Sequence, residues 1–158
     1  MPLGGCRYSH RSFSTIARYL VTSDSASGTR FEVYAQRQRP SGDLDRRDIS
    51  CCGGLSEFTK ILALATARGV RVVPHVWGSA VALATALQGI AIIPPIPYTH
   101  VSHPLVNDPA LEYDQSPNPL RQEISDQQFA LVDGHLPIPQ SPGLGLTVDE
   151  NAVLSFCD

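Results

Sequence analysis

Between Gly53 and Pro94 the apolar residues recur at two periods. Leu55, Phe58, Ile61, Leu62 and Ala65 follow helical spacing, with Ser56 and Glu57 in the first turn and Gly69 as a stop. Val70 to Val76 is short, apolar and rich in β-branched residues, which suits a strand covered on both faces. Ser79 can cap a second helix that carries Val81, Leu83, Ala84, Leu87 and Ile90, and Pro94-Pro95-Ile96-Pro97 ends it. A loop rich in Pro, His and Asn then leads to Leu111-Glu112-Tyr113-Asp114, a short strand. Helix and strand alternate with short connectors, the pattern of βα units around a parallel sheet, so the fold class is α/β.

The flanks read differently. Phe129–Val132 and Leu136–Ile138 predict two short strands joined by the turn Asp133-Gly134. Pro142-Gly143-Leu144-Gly145-Leu146 is a loop, and Thr147 with Glu150 forms a capping box for a last short helix. This piece is too small for a core of its own and must pack on something else. At the other end, residues 14–20 carry a helical pattern. Residues 21–47 are polar without periodicity and read as loop or disorder, with one strand at Phe31–Tyr34. The organisation is therefore a poorly patterned segment 1–47, strand and helix units over 48–128, and a hairpin with a short helix over 129–158.

Composition narrows the function classes. A chain of 158 residues is one domain's worth. A net charge of −3 without a basic block argues against nucleic acid or an acidic membrane surface as partner. No run approaches the roughly 18 apolar residues of a bilayer span, and the start lacks the layout of a signal peptide. Cys6, Cys51, Cys52 and Cys157 show no CxxC spacing, so neither a disulfide framework nor a zinc site is indicated. The expected compartment is the cytoplasm, with reduced thiols.

Candidate chemistry concentrates in Gly69-Val70-Arg71-Val72-Val73-Pro74-His75-Val76-Trp77-Gly78-Ser79. An apolar strand that delivers a titratable ring to its C-terminal end is how a parallel barrel presents a catalytic base. Asp48, in Asp48-Ile49-Ser50-Cys51-Cys52-Gly53-Gly54, closes the preceding strand, which suggests an Asp–His pair on neighbouring strands. Other histidines, glycines and thiols read more plainly. His100 and His103 lie in a Pro-rich loop without a third ligand and read as solvated, and Gly143-Leu144-Gly145 needs only turn geometry. Cys6 has no adjacent base and reads as an inert sulfur.

Several ordered motifs carry a family resemblance over about two-thirds of the chain, residues 48–158. They are Asp48 to Glu57, Pro74-His75-Val76-Trp77-Gly78-Ser79, Leu111-Glu112-Tyr113-Asp114, Pro117-Asn118-Pro119-Leu120-Arg121 and Gly143-Leu144-Gly145. Together they resemble the C-terminal end of the mandelate racemase and muconate-lactonizing branch of the enolase superfamily. Acid-sugar enzymes of the galactarolactone cycloisomerase type look nearest. The resemblance implies a TIM-like (β/α)8 barrel, incomplete in this chain, under a capping domain against which residues 129–146 would pack. It implies Mg²⁺-dependent removal of the proton next to the carboxylate of an acid sugar or its lactone, in a cycloisomerase, dehydratase or racemase. His75 would be the general base, Asp48 would orient it through a hydrogen bond, and Glu112 would lie beside the substrate carboxylate.

The chain also departs from that pattern. Cys6 stands where the family has a metal-binding glutamate, and the only lysine, Lys60, falls in a helix. The other metal-binding carboxylates have no counterpart, so the Mg²⁺ ligands are not expected in this chain and little family activity is expected of it alone. The alternatives are a truncated, catalytically inactive remnant, and a small interaction protein built on half a barrel that self-associates through open sheet edges.

Overall fold

The computed structural model describes residues 29–31, 44–68, 70–94 and 109–157. Three strands, β1 (Leu44–Asp48), β2 (Arg71–Val76) and β3 (Glu112–Tyr113), form a parallel sheet in the order β1-β2-β3. Between them run α1 (Leu55–Ala67) and α2 (Ala80–Ala91), and the short helices α3 (Pro119–Gln122) and α4 (Glu150–Leu154) follow. Parallel neighbours need crossover helices, and α1 and α2 supply them.

The core lies between one face of the sheet and these two helices. Along β2, Val72, Pro74 and Val76 are buried and alternate with half-buried Arg71, Val73 and His75. The run therefore behaves as a strand covered on one face by helices, and not equally on both as its composition suggests. Phe58, Ile61, Leu62 and Ala65 line the buried stripe of α1 and meet Leu83, Ala86, Leu87 and Ile90 of α2. The small residues of α2 allow close approach. A Cβ on Gly89 would stand 2.3 Å from Ile49 Cδ1, so the glycine lets the turn after β1 seat against the helix. Ser79 caps α2 as its position suggests, accepting a hydrogen bond from the Ala82 N–H at 3.3 Å.

Three local expectations are corrected. Arg30 and Phe31 are helical, and Phe31 is exposed, so the strand expected over Phe31–Tyr34 does not begin at Phe31, while 32–34 lie outside the described residues. The strand that Asp48 closes, as expected, reaches back to Leu44, into the polar stretch that reads as loop. Its formation is a tertiary effect, because pairing with β2 along five residues overrides the weak strand preference of Asp and Arg. The C-terminal hairpin keeps its turn, with Asp133 at φ 50° and Gly134 at φ 79°, but shrinks to a single Val132–His135 bridge. Leu131 and Val132 are exposed, and no buried face extends the ladder. Asp149, rather than Thr147, caps α4, its Oδ1 accepting from the N–H groups of Asn151 and Ala152. The Thr147 N–H is engaged by Asp126 Oδ1 at 2.7 Å.

The C-terminal segment packs on this chain's own core. Phe129, Leu136 and Ile138 lie against it, and Gln88 of α2 donates to the Pro139 carbonyl at 2.9 Å. Gly145, at φ 76°, sits where a Cβ would collide with Pro139, which explains the second glycine of Gly143-Leu144-Gly145. Near residue 30, the Arg30 N–H and guanidinium donate to Glu57 at 2.9 and 2.6 Å. The Arg30 N–H, followed by the side chain of Lys60, holds the Glu57 carboxyl below its ordinary range. Cys6, residues 14–20, Gly69, His100 and His103 lie outside the described residues. No helix among the described residues is long and apolar enough to cross a membrane.

Candidate active site

The parallel register sets Asp48 opposite His75 and His75 opposite Glu112, so the three residues form one row across the sheet. Register partners in adjacent strands share a face. The row lies at the C-terminal ends of the strands, where α/β folds place their chemistry. Val72, Pro74 and Val76 occupy the buried face, which leaves His75 on the opposite one with its side chain 26% exposed.

Within the row, His75 meets Glu112 and not Asp48. His75 Nδ1 stands 3.2 Å from Glu112 Oε2. A carboxylate accepts and does not donate, so in the neutral ring this contact favours the hydrogen on Nδ1 and the lone pair on Nε2. The Asp48 carboxylate turns back on its own loop, with Oδ1 accepting from the Ser50 N–H at 2.8 Å. The Asp48 carbonyl accepts from the N–H groups of Cys51 and Cys52 at 3.2 and 3.0 Å. This turn chemistry, common for Asp, takes the carboxylate that the sequence pattern directs to His75. Asp48 remains His75's neighbour in register without sharing its hydrogen bond. Partial burial, and then the Asp48 carboxylate, push the Cys51 thiol up, which disfavours the thiolate.

A fourth group at this end of the sheet is Arg121 of α3, which is 6% exposed. Its Nη1 donates to the Asp114 carbonyl and its Nη2 to Asp114 Oδ2 at 2.9 Å. Its Nε reaches the Gly78 carbonyl at 3.5 Å, where the Asn118 amide also donates at 3.4 Å. The hydroxyl of Ser116, and then Arg121, hold the Asp114 carboxyl down at about 2. Sequence reasoning quoted Arg121 only as a letter of a motif, although a lone Arg after Asn118-Pro119-Leu120 beside a strand end is a usable signal.

The residues present were tested against a metal. Among the described residues, no three His, Cys, Asp or Glu side chains converge on one point. They do not fit a Mg²⁺ site by themselves.

Residues 21–152 match the family described as enolase C-terminal domain-like. The chain belongs to the enolase superfamily. Within it, the chain falls in the mandelate racemase and muconate-lactonizing branch. This enolase-superfamily chain is 41% identical over 114 residues to D-galactarolactone cycloisomerase of Agrobacterium fabrum, covering 72% of the chain and 29% of that protein. Arabinonate dehydratase of Saccharolobus solfataricus is 32% identical over 120 residues, covering 76% of the chain and 29% of that enzyme. Among solved structures, the 3,6-anhydro-D-galactonate cycloisomerase of Zobellia galactanivorans superposes with a TM-score of 0.70 at 28% identity, covering 85% of the chain and 35% of that protein. The α/β fold is thus that of the superfamily's barrel proteins. The chain spans about a third of the length of the relatives it matches.

Proposed function

We propose that this chain carries the base-bearing part of an acid-sugar active site, in which His75 removes the proton next to the substrate carboxylate. The contact between His75 Nδ1 and Glu112 Oε2 at 3.2 Å carries the reading, because it leaves Nε2 able to accept a proton. As Nε2 takes that proton the ring becomes cationic, and the Glu112 carboxylate beside it opposes the new charge. The electron pair released from the C–H bond moves onto the substrate carboxylate, whose growing charge needs a preorganised counterpart. Asp48 holds the turn at the end of β1 next to this pair and shapes the rim. The acid-sugar class is supported by the relatives named above, which are cycloisomerases and dehydratases of such compounds. In this superfamily a Mg²⁺ ion generally supplies the counter-charge. The chain alone is therefore expected to show no α-proton exchange at an enzyme-like rate.

The deciding experiment grafts the matching stretch of this chain into the Agrobacterium fabrum cycloisomerase and follows Mg²⁺-dependent α-proton exchange of D-galactarolactone in D₂O. His75→Asn in the graft is expected to slow exchange by about 10²–10⁴-fold, the usual contribution of a general base. A folded graft that exchanges equally well with histidine or asparagine at this position would refute the reading.

A further inference from the structure

We infer that Arg121 is a positioning residue for the His75–Glu112 pair, an inference that rests on the reading of His75 as base. The weak point of the candidate site is β3. It has two residues, Glu112 and Tyr113, and pairs with β2 only at His75 and Val76. A ladder this short supplies little to hold its register, and a slip of one residue would turn Glu112 to the opposite face of the sheet.

The Arg121 side chain acts just past the end of that ladder. Its guanidinium binds the main chain and carboxylate of Asp114, two residues beyond Glu112, and reaches the carbonyl of Gly78, three residues beyond His75. One planar fork thereby joins the two strand ends that present the pair. The Asn118 amide on Gly78 adds a second tie to the same carbonyl, and the guanidinium stacks 5.4 Å from the centroid of the Tyr113 ring. Burial makes the arrangement demanding. With 6% of its surface exposed, the Arg121 cation depends on these acceptors in place of water, so Asp114 cannot shift without leaving it unpaired. A lysine lacks the fork and cannot bridge both acceptors in one geometry.

The test uses the full chain, labelled with ¹⁵N at histidine, and reads which ring nitrogen of His75 carries the hydrogen. The wild-type ring is expected mainly in the Nδ1–H form. Glu112→Ala, which removes the acceptor, and Arg121→Lys are each expected to drop that form to the minority, while Arg121→Lys still melts cooperatively. A cooperatively melting Arg121→Lys chain with the wild-type ring signature would overturn the inference. So would a Glu112→Ala chain with that signature, since the ring form would then not depend on the contact. If Arg121→Lys does not fold, Asp114→Asn takes its place, because it leaves Arg121 present but removes its charged partner. An unchanged ring in folded Asp114→Asn counts against the inference, and a partial loss of the Nδ1–H form supports it. Failure of the catalytic reading shows elsewhere, in a silent graft, and the ring measurement then still decides whether Arg121 sets the contact.

Discussion

On one face of β2, Val72, Pro74 and Val76 are closed off by α1 and α2, whereas on the other His75 keeps a quarter of its side chain open and faces Glu112. The two sets alternate along six residues, so the same strand contributes to the core and to the candidate site. Stability and chemistry therefore lie about one residue apart in sequence and on opposite sides of the sheet in space. Substitutions on the helix face are expected to unfold the chain. Substitutions on the other face are expected to change what it does while leaving it folded.

The largest effect belongs to the helix face. Phe58 is fully buried in the core, and Phe58→Ala is expected to remove about 3–5 kcal/mol, read as a lower urea midpoint at constant slope. Next comes Gly89→Ala. Alanine gains up to about 1 kcal/mol in helix propensity over glycine, but the new Cβ would overlap Ile49 Cδ1, for which overpacking costs about 1–3 kcal/mol. A net loss in Tm is expected, and Ile49→Val in the same chain should cancel it by removing that methyl. A stabilised Gly89→Ala single variant would show that the two surfaces are not in close contact.

The border between the faces can be probed with acid. Asp114 has its carboxyl held at about 2, below its value in the unfolded chain, so its contribution is fully present above the ordinary carboxylate range. That contribution is expected to fade as pH falls from about 4 through 2, and to be gone below the folded value, where both chains carry the proton. Asp114→Asn should flatten this part of the stability profile in acid denaturation. The smallest effect is expected at the site itself. His75→Asn should change the unfolding free energy by only about 0.5 kcal/mol, as for other residues outside the core. A loss as large as that of Phe58→Ala would erase the distinction between the faces.

Much of this was legible in the chain. The stripe Phe58, Ile61, Leu62 and Ala65, the Ser79 cap and the short Glu112–Tyr113 strand follow from spacing and local chemistry, and the structure keeps them. That a strand closes at Asp48 was read from the motif there, and the structure keeps it, but its extent back to Leu44 was not, because neither composition nor periodicity over 44–47 favours a strand and only the partner β2 makes it one. The C-terminal hairpin failed for the opposite reason. Its turn residues are right, but Leu131 and Val132 beside the turn are exposed, and the pairing ends at one bridge. At the candidate site the sequence pointed to Asp48, His75 and Glu112, and the register brings them into one row. It missed the choice of partner, since turn geometry after Asp48 is settled by nearby N–H groups.

The sequence by itself determined the α/β class, the family resemblance and the residue types available for acid–base chemistry, since these depend on periodicity and on residue identity. Only the tertiary structure decided that His75 meets Glu112, that Asp48 closes its own turn, and that Arg121 ties the strand ends together. The His75–Glu112 contact and the reach of Arg121 to Gly78 join residues 37 and 43 apart, which no local pattern encodes, and Asp48, left out of that contact, bonds two residues on.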